Sequence, residues 1–213
     1  MLSRPPPWIP PQPLPASIRT DRLIVRFPTH EDAASMFDAI NLDRASLLPW
    51  LPWAATDNRT VAECHYTVER FRREREGPAA VTFGLGIFDA RDGSVTGGTS
   101  FHRVRPEMAE AEIGYWIRAD RRGRGLCTEA VAALISWGFT PQGEGWGFRR
   151  ITMYCAEPNA ASRGIARKLG LRQELHSRDD RWVEGLGFCG SLGWGVLAEE
   201  WDTKAHRLKR APE

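Results

Sequence analysis

The sequence predicts a mixed α/β (α+β) domain with a mostly antiparallel central sheet of six to seven strands, flanked by helices. Apolar residues alternate with period two over most of residues 81–117, which is typical of strands. Other segments carry apolar residues at helical spacing. A glycine-spaced basic loop, residues 118–125, links the last alternating run to a helix. Together these features indicate one domain over residues 18–204.

The N-terminal segment is rich in proline, with seven prolines among the first fifteen residues. Such a composition favours an extended polyproline-like chain. We therefore expect residues 1–17 to form a flexible arm and residues 205–213 to form a tail. Regular structure should begin with a strand at residues 22–27, followed by a helix that Thr29 caps and that continues to about Leu42.

The next stretch is interrupted by proline. Residues 47–53 contain two prolines and two tryptophans, so a bent aromatic loop is expected rather than regular helix. A helix is predicted over residues 60–76, followed by three antiparallel strands. Their predicted positions are residues 81–89, 94–104 and 111–117.

The C-terminal half is predicted to alternate helix and strand. A helix should start near Cys127, and residues 150–155 form a short buried strand. A second helix over residues 160–169 has Asn159 as its N-cap and Gly170 after its end. Two last strands are expected near residues 171–175 and 193–199.

The bulk composition excludes several classes of protein. A net charge of +2 is too small to indicate a nucleic-acid or membrane partner. The four cysteines lack zinc-site or disulfide spacing, so neither a metal nor a disulfide framework is expected. No apolar run approaches the roughly 20 residues that span a bilayer, and no signal peptide is recognisable. These features predict a cytoplasmic protein.

The basic loop has the features of an anion site. Gly123 and Gly125 allow close approach of the backbone to a ligand, and the first helical amides point outward. Arg121, Arg122 and Arg124 add positive charge. The pattern suits a pyrophosphate but does not by itself distinguish coenzyme A from a nucleotide.

Two known phosphate loops do not match this one. A Walker A loop ends in Gly-Lys-Ser/Thr, whereas this loop continues as Gly125-Leu126-Cys127. The dinucleotide fingerprint requires a glycine where Thr128 stands. An ordinary strand-to-helix turn with solvated arginines is the alternative interpretation.

The loop resembles the signature of the GNAT superfamily of N-acetyltransferases, Gln/Arg-x-x-Gly-x-Gly/Ala at the end of the fourth strand. Gly123 and Gly125 match it, and Asp120 stands where Gln or Arg is usual. A second segment, from Asn159 through Ser162 to the Leu-Gly-Leu of residues 169–171, is similar to the family's Asn-x-x-Ser … Leu-Gly-Phe helix. Residues 20–26 and 111–116 resemble the branch that acetylates N-termini of ribosomal proteins.

The resemblance implies that the fourth and fifth strands splay apart and that acetyl-coenzyme A binds between them. Pantetheine would pair with the backbone of residues 116–118, and an amide near Ile117 would stabilise the oxyanion. The cofactor-binding residues that follow from the resemblance are Trp116, Ile117, Arg118, Arg122, Gly123, Arg124, Gly125, Leu126, Cys127, Thr128 and Asn159.

The resemblance also suggests catalytic residues. An acceptor amine would attack the thioester directly, without a covalent enzyme intermediate. Ser162 is the candidate proton donor to the departing thiolate, because Ala166 occupies the position of the tyrosine that many family members use. Glu112 is the candidate base, directly or through water. Alternatively, Ser162 only satisfies backbone groups at the start of its helix, and Glu112 is a surface carboxylate paired with an arginine.

Other functions fit parts of the pattern. A non-catalytic acyl-coenzyme A sensor of the same fold is the first alternative, and a nucleic-acid binder using the arginine loop is the second. Within the enzyme hypothesis, the acceptor is a protein N-terminus or a small amine. A homodimer is compatible with the family, although no interface is recognisable in the sequence.

Overall fold

The computed structural model describes residues 5–77 and 80–203. One sheet has the strand order β1-β2-β3-β4-β5-β6-β8-β7, and every neighbouring pair is antiparallel except β5 and β6. The strands are β1 Ser17–Arg19, β2 Leu23–Arg26, β3 Phe83–Asp89, β4 Val95–Arg105, β5 Glu110–Ile117, β6 Arg150–Ala156, β7 Arg172–Val183 and β8 Gly187–Leu197. The helices are α1 Ala33–Asn41, α2 Trp53–Thr56, α3 Val61–Glu76, α4 Leu126–Phe139 and α5 Ala160–Lys168.

The predicted fold class is confirmed, with an eighth strand that the sequence did not predict. Strand β1 is only three residues long and pairs with β2. It follows the proline-rich arm, and too few residues alternate for a periodic pattern to be visible. Because of β1, the predicted fourth and fifth strands are β5 and β6.

The two faces of the sheet carry different helices. Helix α4 covers one face, where Gly138 lies against Ile151 and Phe101 so closely that a Cβ would be 2.5 Å from Ile151 Cδ1. Helices α1 and α3 cover the other face, where Met36 and Val68 belong to the same buried cluster as Phe88 and Val95. Side chains alternate along each strand, so neighbouring residues of β5 face different helices.

The predicted ends of α5 are confirmed, and α3 has an N-cap that was not predicted. Thr60 accepts a hydrogen bond from the Glu63 amide at the start of α3, and Asn159 accepts one from the Ser162 amide at the start of α5. Gly170 follows α5 with φ of +67°, and its amide donates to the Arg167 carbonyl. A left-handed residue after a helix end is the usual site for glycine.

The last two strands are longer than predicted. Strands β7 and β8 form a hairpin of 12 and 11 residues, whereas short strands were expected at residues 171–175 and 193–199. The missed part of β7 is largely exposed and polar, including Arg178, Asp179 and Asp180. An exposed ribbon buries neither face, so its sequence lacks the alternation that identifies half-buried strands.

The proline-containing loop at residues 47–53 is bent as expected. The short helix α2, one turn long, begins at its last residue, Trp53. Trp53 lies 5.9 Å from Trp116 of β5, centroid to centroid. This contact brings the loop against the sheet beside the last residues of β5.

The N-terminal arm lacks regular structure between residues 5 and 16, but it is anchored at Trp8, which differs from the expected flexibility. The Trp8 side chain is 7% exposed and stacks on Phe148 at 4.8 Å. Its indole N–H donates to the Trp146 carbonyl at 2.6 Å. Burial of a large aromatic ring outweighs the flexibility that proline-rich composition suggests. Residues 1–4 and the predicted tail 205–213 lie outside the described residues.

We expect Trp8→Ala to lower the free energy of unfolding by about 3 kcal/mol, because it removes a buried ring and leaves a cavity. The Ile9→Ala variant is the control, since Ile9 is 67% exposed and surface changes usually stay within about 0.5 kcal/mol. Urea denaturation followed by fluorescence measures both. Equal midpoints for the two variants would contradict the anchoring role of Trp8.

Candidate functional site

A gap opens in the sheet between β5 and β6. These parallel strands pair only from Glu110 with Arg150 to Glu112 with Thr152. Beyond that point β5 continues to Ile117 while pairing only with β4 on its other side. The predicted splay is therefore present, and Glu112 lies at its vertex.

The backbone of β5 offers hydrogen-bonding groups to this gap. The Arg118 amide donates to the carbonyl of Thr96 in β4. In an antiparallel pair, successive residues direct their main-chain groups to opposite sides. The amides of Tyr115 and Ile117 consequently point away from β4 and into the gap. An extended ligand segment can add to β5 as a strand there, as the resemblance implies.

The gap is continuous with a cleft of about 430 Å³. Its walls come from the loop at residues 46–51, from β5, from the glycine loop with the start of α4, from β6 and from α5. The predicted site residues that line it are Trp116, Ile117, Arg122, Gly123, Gly125, Leu126, Cys127, Thr128, Asn159 and Ser162. Lining residues that the sequence analysis did not assign include Leu47, Trp50, Tyr115, Tyr154, Lys168 and Arg181.

The glycine loop has the backbone geometry of an anion site. Gly123 and Gly125 have φ of +74° and +77°, a region that residues with a Cβ rarely adopt. The first main-chain bond of α4 runs from the Glu129 amide to the Gly125 carbonyl. The amides of residues 126–128 therefore lie before it and point out of the helix start, toward the cleft.

The arginines of the loop divide into two groups. Arg118 bonds Asp120 at 2.7 Å, and Arg121 bonds buried Asp89 at 2.9 Å, so both brace the loop. Arg122 donates to the Ile117 carbonyl and is 42% exposed. Arg124 is exposed. Among the predicted binding residues, Arg118 and Arg124 lie outside the cleft lining.

A distant residue holds the glycine loop in place. Arg22 donates to the Arg124 carbonyl at 2.9 Å and to Glu129 of α4 at 2.6 Å. Thr20 donates to the other oxygen of that carboxylate at 2.5 Å. No local sequence pattern predicts this role, because the residues are about a hundred positions apart. The one indication in the sequence was that residues 20–26 resemble the branch of the family that acetylates N-termini of ribosomal proteins.

Glu112 lies on the face of β5 that points toward α1 and α3. Its carboxylate is 3.2 Å from His102 Nε2 and 3.2 Å from Arg103 Nη1. Burial acts to raise its pKa, but the hydrogen bonds and charges of His102 and Arg103 outweigh burial and lower it. Glu112 is thus ionised at neutral pH. It is outside the cleft lining, one residue from Ile113 and two from Gly114, which line it.

Ser162 lies on the opposite side of β5, in the first turn of α5. Its amide donates to Asn159 Oδ1 at 3.0 Å, and its Oγ is 2.9 Å from the Tyr115 hydroxyl. Burial raises the pKa of Tyr115 well above its ordinary value. Ser162 and Glu112 therefore flank the gap from different faces of the sheet.

The chain contains free thiols at Cys64, Cys127, Cys155 and Cys189. Burial raises the pKa of Cys127 to about 12, although Cys127 lines the cleft. A neutral buried thiol is a poor nucleophile. Within residues 5–77 and 80–203, no cluster of three or more His, Cys, Asp or Glu side chains is arranged to hold a metal ion. No helix in those ranges is long and apolar enough to cross a membrane.

This chain is similar to known proteins over most of its length. The acetyltransferase (GNAT) domain family matches residues 22–172. YdaF of Bacillus subtilis (strain 168), provisionally named a ribosomal N-acetyltransferase, is 26% identical over 182 residues, which are 85% of this chain and 94% of YdaF. The [ribosomal protein uS5]-alanine N-acetyltransferase of Escherichia coli (strain K12) is 27% identical over 175 residues, covering 79% of this chain and 84% of that enzyme.

Solved structures share the fold. RimL, a ribosomal L7/L12 alpha-N-protein acetyltransferase in complex with coenzyme A, superposes with a TM-score of 0.73 at 19% identity, over 85% of this chain and 97% of RimL. The microcin C7 self-immunity acetyltransferase MccE, in complex with acetyl-CoA and AMP, has a TM-score of 0.71 at 19% identity, over 84% and 93% of the two chains. With the family match over most of its length, this chain belongs to the GNAT acetyltransferase family and is an acetyl-coenzyme A-dependent N-acetyltransferase.

Proposed function

We propose that this enzyme transfers the acetyl group to the α-amino group of a protein N-terminus, by direct attack in a ternary complex. The observation that supports direct transfer is the vertex of the gap, where Glu112 and Ser162 approach from opposite faces. The names of YdaF and the uS5-alanine enzyme support a protein acceptor. A small amine is the alternative acceptor that the experiments below distinguish.

Cofactor binding would use mainly backbone groups. The amides of residues 126–128 and of the glycine loop would hold the pyrophosphate, with charge from Arg122. The gap-facing main-chain groups of Tyr115 and Ile117 would hold pantetheine, and Asn159 would contact it from α5. Acetyl-coenzyme A supplies the activated acetyl group, and its thioester would lie near the vertex.

The catalytic residues would act on either side of the acetyl carbon. Glu112 would accept the proton of the acceptor amine, directly or through water, on the α1/α3 side. The Tyr115 amide, which also faces the gap, would stabilise the oxyanion of the tetrahedral intermediate. It lies nearer the vertex than the Ile117 amide, which is five strand residues from Glu112. Ser162 would donate a hydrogen bond to the departing thiolate on the α5 side. The four free cysteines are consistent with a reducing cytoplasm, which we propose as the compartment.

We expect acetyl-coenzyme A to bind the wild-type protein at about micromolar strength, near −8 kcal/mol, and not to bind Gly125→Trp. The introduced ring would fill the space before the α4 amides. Gly93→Trp is the matched control, because Gly93 also has positive φ, +72°, but lies in the turn between β3 and β4. Calorimetry measures both. Equal loss in the two variants would show that backbone strain, rather than the site, is responsible.

We expect a peptide with a free N-terminus and no lysine to be acetylated, and the same peptide with a blocked N-terminus to be inert. Thiol release and mass spectrometry measure the transfer. A panel of N-terminal alanine, serine and methionine peptides tests the preferred first residue. Turnover of small amines together with inert peptides would contradict the protein N-terminus and favour the small acceptor.

We expect Glu112→Gln to lower kcat/KM for an active peptide by about a hundredfold, the usual size of a proton-transfer contribution. Because the pKa of Glu112 is lowered, its own protonation lies below the range of the assay. The acid limb of the wild-type pH profile should therefore follow the α-amino group, with a pKa of about 8. Glu63→Gln is the control, since Glu63, on helix α3, is also paired with an arginine, Arg59. A wild-type rate in folded Glu112→Gln would reduce Glu112 to a surface ion pair.

A further inference from the structure

The Tyr115 hydroxyl is the closest side-chain partner of Ser162 given by the structure. The two oxygens are 2.9 Å apart, and Tyr115 also lies 3.7 Å from Met153 Sδ. Tyr115 and Ser162 both line the cleft. The mechanism proposed above uses Ser162 but assigns no side-chain role to Tyr115.

The hydrogen-bonding capacity of the pair indicates its direction. A serine hydroxyl has one hydrogen to donate and two lone pairs to accept, and so does a tyrosine hydroxyl. The other neighbour of Tyr115 is a thioether sulfur, which is a weak acceptor. The Ser162 oxygen is therefore the better acceptor for the Tyr115 hydrogen. With that arrangement, the Ser162 hydrogen points away from Tyr115, where the Cys155 thiol of β6 is its other neighbour. A thiol is only a weak acceptor, so a thiolate in the cleft would be the preferred acceptor of that hydrogen.

The rest of α5 does not fix the Ser162 side chain in this way. Asn159 bonds the Ser162 amide, which sets the position of the backbone but not the rotation of the hydroxyl. Ala166, one turn further along α5, is fully buried and has no polar group. A hydroxyl from β5 thus reaches the first turn of α5, one turn before Ala166, where the family resemblance would place a tyrosine.

We propose that Tyr115 is a positioning residue, which donates its hydroxyl hydrogen to Ser162 and so directs the Ser162 hydrogen at the sulfur of coenzyme A. This inference rests on the proposed function, because it requires the sulfur to lie beside α5. Hydrogen bonds in a chain strengthen one another, so Ser162 becomes the stronger donor when it accepts from Tyr115.

The inference requires no proton to leave either hydroxyl. A thiol, with an ordinary pKa of about 8.5, is more acidic than a phenol at about 10. The thiolate can therefore depart as an anion that accepts a hydrogen bond and later takes a proton from water. Burial raises the pKa of Tyr115, so the phenol stays protonated and remains a donor throughout the working pH range.

The bound thiol itself reports on this hydrogen bond. A hydrogen bond to the thiolate favours the charged form and lowers the pKa of the bound thiol. The experiment titrates coenzyme A on the enzyme by the ultraviolet absorbance of the thiolate. The coenzyme-free form of the same variant is the baseline, so that the protein thiols, including Cys155 beside Ser162, are subtracted. The pKa values of Cys64, about 11, and Cys127, about 12, keep those thiols neutral over most of the titration.

We expect Tyr115→Phe and Ser162→Ala each to raise the pKa of bound coenzyme A by about one unit, a tenfold change in the ionisation constant. The double variant should shift no further than Ser162→Ala, because both changes remove the same hydrogen bond. Binding of coenzyme A should be nearly unchanged, and kcat for an active acceptor should fall with KM preserved. Tyr66→Phe is the matched control, since Tyr66 lies on α3 and is 66% exposed.

Three results would overturn the inference. A shift in Ser162→Ala alone would leave Tyr115 with a packing role, and no shift in either variant would show that Ser162 does not contact the sulfur. Both results leave cofactor binding and acetyl transfer to an N-terminus standing, although the second also removes the donor role proposed for Ser162. If folded wild-type protein binds no coenzyme A, the proposed function fails together with the inference.

Discussion

The early end of the β5–β6 ladder is the constraint on which the site depends. Main-chain groups that leave a sheet unpaired need another partner, and here the strands separate after Glu112 and Thr152. The unpaired edge of β5 becomes a template for an extended ligand. The same vertex lies between Glu112 on one face and Ser162 on the other. The separation of β5 and β6 therefore shapes both the proposed cofactor site and the proposed catalytic site.

The glycine loop keeps its shape through contacts from distant parts of the chain. Asp89, at the end of β3, is buried and bonds Arg121, while Arg22 holds Arg124 and Glu129. A single exposed ion pair contributes little to stability. These contacts matter for a different reason: they fix main-chain amides that must already be oriented when an anion arrives.

Alternation along β5 places the two groups proposed to act in the reaction on opposite faces of the sheet. One would accept the proton of the amine, and the other would donate a hydrogen bond to the departing thiolate. Glu112 and Trp116 point toward α1 and α3, and Tyr115 points toward α4 and α5. The proposed base, Glu112, and the proposed thiolate donor, Ser162, therefore need not compete for one position. His102, directly opposite Glu112 on β4, adds a hydrogen bond that keeps the carboxylate ionised. One face of β5 thus carries Glu112, and the other face carries Tyr115, which contacts Ser162 of α5.

The sequence by itself determined the order of the main elements, the glycine loop with its helix start and the Asn159 cap, because each is encoded by residues close together in the chain. It did not predict β1, the length of the β7–β8 hairpin or the burial of Trp8. Nor did it assign Arg22 and Tyr115 to the site. Those features depend on contacts between residues far apart in sequence, such as Tyr115 with Ser162 and Arg22 with Glu129. Local periodicity records which face of an element is buried, and only the tertiary structure decides which distant side chain meets it.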